Sequence, residues 1–299
     1  MRVFVTGATG FIGAQVVAQL LAAGHEVLGM SRSDAGAETL AAAGAQVHRA
    51  GLEDLDRLRA GAAQADAVIH TAFNHDDFSK FAASCEQDGR VIAALAEALR
   101  GSARPLIITS GVGMGERGHG QAAVETVLNL EHRNPRIASE LAGVAALESG
   151  VDVRVVRLPQ VHDTRRQGLV SYLIANSREQ GQAAYIGEGL NRWSAAHVSD
   201  VALLYRLVLE KGKAGERYHA VAEEGIAARD IAEAVGKGLG VPVRSLAAAE
   251  AGAHFGWLAL FAGQDMSASA ALTKARLGWH PAGPGLIADL TAMDYAAAR

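Results

Sequence analysis

Cysteine is nearly absent from this sequence, since Cys85 is the single one among 299 residues. One cysteine excludes an internal disulfide and a zinc site built from cysteines, and it suits a reducing, cytoplasmic setting. A basic excess is missing too, because 28 Lys and Arg stand against 32 Asp and Glu, for a formal net charge of -4. This balance argues against nucleic acid as a partner.

Charge is also missing from a long N-terminal stretch, Val3 to Gly24. Uncharged runs of this kind occur in signal peptides and in membrane spans. Here Gly7, Gly10 and Gly13 interrupt the run, and no small-residue cleavage site closes an apolar core. We therefore expect a buried strand followed by a helix, and no membrane partner.

Short apolar runs alternate with helical patterns through the first half of the chain. Continuous apolar strands separated by helices are typical of a parallel sheet that is covered on both faces. No linker rich in Pro or Ser divides the chain. The sequence therefore predicts an α/β fold, with a doubly wound parallel sheet in residues 1–158 and a smaller, interlocked domain in residues 159–299. The predicted strands are 3–7, 26–31, 45–49, 66–72, 105–110, 151–158 and 218–222, and the predicted helices include 12–22, 35–43, 53–62, 198–210 and 228–238.

The strongest motif is TGATGFIG, residues 6–13. It follows a predicted strand and opens a helix within the first βαβ unit, which is the context that a dinucleotide-binding turn requires. Small residues let the backbone turn tightly and bring the helix N-terminus close to a pyrophosphate. A second match, GMGERG at 113–118, follows a late strand where no βαβ unit begins. The match therefore predicts a mobile loop that covers a site, and not a second nucleotide pocket. The expected cofactor contacts in the first motif are Gly7, Thr9, Gly10, Phe11, Ile12 and Gly13.

The end of the second predicted strand distinguishes NAD from NADP. An acidic residue there binds the ribose 2′-hydroxyl, whereas Arg accommodates a 2′-phosphate. This chain has Ser31, Arg32 and Ser33, and no acid before Asp34. Arg32 pairs well with a phosphate and the two hydroxyls are donors, although a solvated surface arginine is the alternative. The segment favours NADP.

With these motifs in place, the chain resembles the extended, epimerase/dehydratase-like branch of the short-chain dehydrogenase/reductase superfamily. TGATGFIG matches the TGxxGxxG of that branch, and the resemblance extends over nearly the whole length. It implies a Rossmann fold, a nicotinamide cofactor, a small-molecule substrate and a possible homodimer. The further segments that carry it are DAVIHTAF (66–73), PLIITSG (105–111), RLPQVH (157–162) and AAHVSDVALLY (195–205). The further cofactor contacts that it implies are Leu52, Ala72, Phe73, Thr109 and Pro159.

The Tyr-x-x-x-Lys pair of that family is missing from this sequence. Setting Ser139 against the serine that often precedes the lysine puts Arg136 at the Tyr position and Glu140 at the Lys position. The chain is similar to an atypical subgroup with a His-x-x-x-Arg pair, here His132 and Arg136. As a hypothesis, Arg136 stabilises an oxyanion and His132 exchanges the proton, because their charges and pKa values suit those tasks. Ser110, at the end of the fifth strand, donates a further hydrogen bond.

The same stretch also reads as the ordinary start of a helix. Asn134 is a suitable N-cap and Pro135 a suitable first helical residue, and Gly150 is a suitable stop. Arg136 and Glu140 then form a plain surface pair. The buried stripe of that helix is Ile137, Leu141 and Val144.

Other polar and aromatic residues are candidates for the pocket. His70, inside the fourth strand, is expected to be a satisfied core histidine. His75 and Asp76 either line the pocket or are solvated. The candidate pocket walls are Phe73, Met114, His162 and Trp193, and for Trp193 the core interpretation is favoured.

The leading function is an NADP-dependent oxidoreductase that acts on a small, moderately apolar carbonyl compound or alcohol. A catalytically silent, redox-sensing NADP-binding protein is the second hypothesis, because the Tyr and Lys are missing. A nucleotide-sugar epimerase or dehydratase is the third, and it is disfavoured because those reactions depend on the missing Tyr. No metal is expected.

Overall fold

A computed structural model describes residues 1–75, 78–118 and 120–296. Its largest sheet has seven strands, all parallel, in the order β10-β6-β5-β4-β1-β2-β3. The order reverses at β1, which is where doubly wound sheets bind ligands at their carboxyl ends. The predicted α/β doubly wound sheet is confirmed. The strands are β1 (Arg2–Thr6), β2 (Glu26–Ser31), β3 (Gln46–Arg49), β4 (Ala67–His70), β5 (Leu106–Gly111), β6 (Val153–Leu158), β7 (Gln160–His162), β8 (Ala183–Ile186), β9 (Arg192–His197), β10 (Arg217–His219), β11 (Glu223–Ala227) and β12 (Val243–Leu246).

Helices cover both faces of the large sheet, which explains its continuous apolar strands. Along β1, Val3 and Val5 pack towards α1 and α7, whereas Phe4 packs towards α3 and α4. Burial on both faces removes the need for polar residues at alternate positions. The helices are α1 (Phe11–Ala22), α2 (Asp34–Ala42), α3 (Leu55–Ala63), α4 (Phe81–Leu99), α5 (Ile137–Glu148), α6 (Leu169–Gln180), α7 (Val198–Lys211), α8 (Ala228–Leu239), α9 (Ala251–Phe255), α10 (Ala259–Ala262), α11 (Ala271–Leu277) and α12 (Leu286–Ala292).

The second half of the chain contributes to both parts of the molecule. β10 is the edge strand of the large sheet and α7 packs against α1, so these elements complete the Rossmann unit. The other strands form two small sheets, β11-β9-β7 and β12-β8, over a separate core with α6, α8 and α12. The domain limits 1–158 and 159–299 stay a prediction. In the structure, two elements from the second half, β10 and α7, pack with the first half. Within the described ranges, no helix is both long enough and apolar enough to cross a bilayer.

The helix after Pro135 differs from its prediction in two ways. It begins at Ile137 and not at Pro135, since residues 135–136 form a turn before it, while Asn134 Oδ1 accepts the N–H of Arg136 as a capping side chain does. Leu141 was expected in the buried stripe, but it is 44% exposed. Small size and ion pairing, not apolarity, select the buried face, as the next subsection shows for Glu140. The residues buried in α5 are Ser139, Glu140, Gly143 and Ala146.

Candidate active site

The glycine turn between β1 and α1 folds against the end of β4. Gly7 has a φ of +67°, and a Cβ on it would lie 2.7 Å from the backbone nitrogen of Ala72. A Cβ on Gly13 would lie 2.0 Å from the carbonyl oxygen of Gly7. Gly10 is the N-cap of α1, and no side chain caps this end of the helix. The first-turn N–H groups are therefore left for an anion, and the turn fits the pyrophosphate of a dinucleotide.

The segment after β2 is closed by an arginine from the neighbouring strand. Arg49 ends β3 and lies opposite Ser31 in the parallel register. Its guanidinium donates hydrogen bonds to the carbonyl oxygen of Ser33 and, at 2.9 Å, to the carboxylate of Asp34. Arg32 is exposed next to it. Two arginines and the N-terminus of α2 therefore lie where a 2′-phosphate is expected. Sequence reasoning missed Arg49, although the carboxyl ends of neighbouring parallel strands meet at one edge.

The two serine hydroxyls of this segment have different roles. Ser33 Oγ accepts the N–H of Gly36 and caps α2, whereas Ser31 Oγ donates to the carbonyl oxygen of Ser33 at 2.9 Å. A hydroxyl that accepts a bond keeps its own hydrogen. Ser33 therefore retains a donor for a ligand, while buried Ser31 has given its hydrogen to the backbone.

The other residues predicted to bind the cofactor lie near the carboxyl ends of the strands. Leu52 follows β3 and is half-buried against the core, and Pro159 joins β6 to β7. Ala72 donates its N–H to Thr6 Oγ1 at 3.3 Å, which ties the chain after β4 to the glycine turn. Thr9 is exposed, and Phe11 and Ile12 are half-buried in the first turn of α1.

The Arg136 side chain reaches from the residue before α5 to the end of β5. Its Nη2 donates to the carbonyl oxygen of Thr109 at 3.0 Å, and its Nη1 donates to Asp88 Oδ2 at 2.6 Å and to Ser139 Oγ. The guanidinium carbon lies 4.2 Å from the centroid of the Phe73 ring, a cation–π arrangement. These contacts hold a permanent cation at the edge of the sheet that presents ligand-binding groups.

Asp88, on α4, is a second site residue, after Arg49, that sequence reasoning did not find. Its side chain is 2% exposed. Burial alone raises the pKa of a carboxyl, but the charge of Arg136 and the hydrogen bond from His70 outweigh it and hold the pKa of Asp88 below its usual range. Asp88 is therefore ionised and compensates the charge of Arg136. A signal was available, because an acid interrupts an otherwise small and apolar buried stripe at helical spacing. That stripe of α4 includes Ser84, Cys85, Asp88, Val91, Ile92 and Leu95.

Ser110 carries a buried hydroxyl near the end of β5. It is 3% exposed, and Ser110 Oγ has no hydrogen-bond partner in residues 1–75, 78–118 and 120–296. Buried polar atoms are nearly always hydrogen-bonded, so this one marks a place for a ligand or a water molecule. Thr109 differs, because its hydroxyl donates to the carbonyl oxygen of His70 at 2.7 Å and accepts from Tyr205 at 2.6 Å. Of the two neighbours, Ser110 retains the donor.

His132 lies before α5 and is held by its own turn. Its Nδ1 accepts the N–H of Asn134 at 3.1 Å, so the hydrogen of the neutral ring is on Nε2, which lies 3.2 Å from a carboxylate oxygen of Glu116. Within the part of the chain that the structure describes, no hydrogen bond joins His132 to Arg136. The two residues are both at this end of the molecule, but they are not a hydrogen-bonded pair.

Comparison with known proteins agrees with this fold. The family model described as NAD dependent epimerase/dehydratase family matches residues 3–221. The chain belongs to this family. Over 296 residues it is 46% identical to an uncharacterized protein of Schizosaccharomyces pombe, covering 99% of this chain and 100% of that protein. It is 25% identical over 232 residues to the sterol-4-alpha-carboxylate 3-dehydrogenase (decarboxylating) of Dictyostelium discoideum, covering 73% and 70% of the two chains.

The fold of this epimerase/dehydratase family member also matches solved structures. The crystal structure of DesIV, a dTDP-glucose 4,6-dehydratase from Streptomyces venezuelae with NAD and TYD bound, superposes with a TM-score of 0.78 at 21% identity. The match covers 98% of this chain and 96% of that chain. The resemblance to the epimerase/dehydratase-like branch is thereby confirmed, and a nicotinamide dinucleotide is the cofactor class of the family. The finer assignment to a His-x-x-x-Arg subgroup stays a prediction.

Glu140 stands where the family resemblance places the lysine, and it is buried in an ion-pair cluster. Its carboxylate accepts two hydrogen bonds from Arg157, at 2.6 and 3.0 Å, and one from Arg217 at 2.9 Å. The alternative of a surface pair between Arg136 and Glu140 is wrong. Arg136 precedes the helix and pairs with Asp88, so the spacing within a helix does not apply to it. The two residues that the resemblance sets against the family's acid–base pair, Arg136 and Glu140, each belong to a separate ion pair.

A mobile loop is predicted for residues 113–118, and its first half is a packed turn, whereas residues 116–118 are exposed. Residues Val112–Gly115 form a short 3-10 helix in which Met114 is buried. A Cβ on Gly115 would lie 2.4 Å from the carbonyl oxygen of Val124 and 2.7 Å from Nη1 of Arg157. The glycine therefore serves close packing of backbone on the ion-pair cluster, not a nucleotide.

The remaining candidates for pocket walls divide between the core and the site. His162 and Trp193 are buried, which confirms the core interpretation of Trp193. The ring of His75 lies 4.7 Å from that of Phe73, the ring that also contacts the guanidinium of Arg136. Asp76 lies outside the described residues.

Proposed function

We propose that this protein is an NADP-dependent oxidoreductase that interconverts a small, neutral carbonyl compound and its alcohol. The observation that carries the proposal is made at the end of β5, where the guanidinium of Arg136 is bonded to the Thr109 carbonyl and the next residue, Ser110, has a buried hydroxyl without a hydrogen-bond partner among the described residues. Both groups lie at the edge of the sheet where the glycine turn receives a dinucleotide. The family description, NAD dependent, supports a redox role.

The residues divide the work of binding and proton transfer. The glycine turn and the open end of α1 bind the dinucleotide, and a bound nicotinamide supplies or accepts the hydride. Arg136 donates to the substrate oxygen and stabilises its developing negative charge, and Ser110 Oγ adds a second hydrogen bond. Arg136 is a poor proton donor, so the proton comes from Nε2 of the doubly protonated His132 ring. That form arises when the turn moves and Nδ1 leaves the N–H of Asn134 to take up a proton from water, and the neutral ring remains after the transfer.

Charge balance at the site indicates the substrate class. Asp88 is ionised and bonded to Arg136, so the two together carry no net charge. An anionic substrate therefore gains little from this cation, whereas a neutral carbonyl still benefits from its N–H groups. Phe73 and its neighbour His75 add aromatic surface for an apolar body. These features favour a small ketone or aldehyde.

The first test is NADPH oxidation by the purified protein with a panel of aldehydes and ketones. Arg136→Ala is expected to lower kcat by about 100-fold or more, the usual effect of removing one oxyanion donor. His132→Ala is expected to lower it less and to change the pH profile. Exposed Arg133→Ala is the matched control in the same turn, with kcat and NADPH binding unchanged.

The outcomes separate the rival functions. If neither Arg136→Ala nor His132→Ala slows turnover, the assigned roles are wrong while the fold stands. Tight NADPH binding without turnover of any panel compound would favour a silent, redox-sensing protein. Including dTDP-glucose and UDP-glucose in the panel tests the nucleotide-sugar alternative, to which the fold likeness with DesIV draws attention.

Cofactor preference is tested separately by fluorescence titration with NADPH and NADH. Arg32→Ala and Arg49→Ala are each expected to weaken NADPH binding by about 10- to 100-fold, since a charge-assisted hydrogen bond contributes roughly 1.5–3 kcal/mol. NADH lacks the 2′-phosphate, so its affinity is expected to change little. Exposed Arg100→Ala, at the end of α4, is the control for a general charge effect. Equal losses for both nucleotides would contradict the preference for NADP.

A further inference from the structure

Asp88 is the centre of a buried hydrogen-bond cluster beneath Arg136. Its Oδ2 accepts from Arg136 Nη1 and from Ser139 Oγ, both at 2.6 Å, and its Oδ1 lies 3.0 Å from His70 Nε2. The carboxylate thus has partners on both oxygens without any solvent. A buried carboxylate is stable only when hydrogen-bond partners of this kind compensate the loss of water. We therefore expect Asp88 to have a role other than packing.

The direction of each bond follows from Asp88. An ionised carboxylate only accepts, so the hydrogen of the neutral His70 ring is on Nε2 and points to Asp88. Nδ1 of His70 then accepts from Thr6 Oγ1 at 2.7 Å, and Thr6 Oγ1 in turn accepts the N–H of Ala72 at 3.3 Å. Both ring nitrogens are used, which confirms that His70 is a satisfied core histidine.

This series of bonds connects two parts of the site. Thr6 is the last residue of β1 and precedes Gly7, the first glycine of the dinucleotide turn. At the other end, Asp88 and Ser139 hold Nη1 of Arg136 while the Thr109 carbonyl holds Nη2. These bonds prevent rotation of the guanidinium. They also connect its position, through Asp88 and His70, to β1, the strand that leads into the cofactor turn.

We propose that Asp88 is a positioning residue, which fixes the guanidinium of Arg136 and links it through His70 and Thr6 to the dinucleotide-binding turn. The inference rests on the proposed function, because the reaction that Arg136 serves is itself proposed. Asp88 does not touch substrate or cofactor in this role. It sets the angle of the cation and keeps the site neutral, so that the remaining N–H groups of Arg136 meet the substrate oxygen without reorganisation.

The test uses Asp88→Asn, which keeps the shape and removes the charge. The expected result is a fall in kcat of about 100-fold, as for other small misplacements of a catalytic group, with the NADPH dissociation constant within about twofold. The double variant Asp88→Asn/Arg136→Ala is expected to be no slower than Arg136→Ala alone, because Asp88 acts through Arg136. An unchanged kcat, or losses that multiply in the double variant, would overturn the proposal.

A second measurement does not depend on turnover. Nitrogen-15 NMR of the histidine rings is expected to show the Nε2–H tautomer for His70 in the wild-type protein. In Asp88→Asn the amide group can donate to Nε2, so the tautomer is expected to change to Nδ1–H. The opposite tautomer in the wild-type protein would overturn the proposed link whether or not a substrate has been found. If Asp88→Asn does not fold, Ser139→Ala, which removes one donor to Asp88, must still lower kcat several-fold with NADPH binding retained. Full activity in that variant counts against the proposal.

If the wild-type protein turns over no compound of the panel, the proposed function fails by itself. The His70 tautomer then decides whether the hydrogen-bond link from Thr6 to Asp88 exists.

Discussion

Glu140→Ala is expected to lower the free energy of unfolding by about 3–5 kcal/mol, the usual cost of removing one partner from a buried ion pair. The loss of stability arises mainly because the variant leaves a buried arginine without its ion-pair partner. Arg157 has no exposed surface, and both of its bonds to Glu140 are removed, together with the bond from Arg217. Urea denaturation measures the change. Glu148→Ala, at the exposed end of the same helix, is the control and is expected to change stability by less than about 0.5 kcal/mol.

The effect of Glu140 is also expected to depend on pH. Burial alone would raise the pKa of this carboxyl, but the hydrogen bonds and charges of Arg157 and Arg217 outweigh it and lower the pKa. A group with a lowered pKa in the folded protein stabilises above its unfolded value, and this stabilisation is lost as the pH falls through the folded value. The stability difference between the wild-type protein and Glu140→Gln should therefore be largest at neutral pH and shrink below the ordinary carboxyl pKa. A difference that stayed constant down to acidic pH would contradict the assigned charge state.

The parts of the fold that sequence predicted well are those set by local patterns. Val3, Phe4 and Val5 form a continuous apolar run because alternate residues meet different helix layers, and a strand with both faces buried has that signature. The glycine turn could be predicted from the sequence equally well. Gly7 needs a positive φ and Gly13 needs close backbone approach, and few other contexts demand both at this spacing.

The ion pairs of the site depend on contacts that are distant along the chain. Asp88 and Arg136 are 48 positions apart, and Arg217 reaches Glu140 across 77. No periodicity relates such positions, so a sequence pattern assigns Arg136 and Glu140 to each other by spacing alone. Leu141 is a second example of a residue whose burial cannot be predicted from the sequence pattern. Glu140 is buried and Leu141 is exposed, because α5 rotates to place the carboxylate between two arginines.

Gly13→Ala is expected to abolish useful dinucleotide binding, and it separates the cofactor turn from the catalytic groups. The added Cβ would lie 2.0 Å from the carbonyl oxygen of Gly7 and 2.7 Å from its carbonyl carbon. Both atoms are backbone, so no side chain can rotate away, and either α1 or the turn must move.

Overpacking of this kind costs roughly 1–3 kcal/mol, and the shift falls on the turn that receives the pyrophosphate. We therefore expect the NADPH dissociation constant from fluorescence titration to rise by about 100-fold, which corresponds to roughly 2.7 kcal/mol. The matched control is Gly252→Ala in α9, where an added Cβ has nothing within 4 Å and the helix favours alanine. Normal NADPH affinity in Gly13→Ala would show that the nucleotide binds away from this turn. Because Gly13 lies against Gly7, and Thr6 precedes Gly7, such a result would also remove the reason for linking Arg136 to the turn.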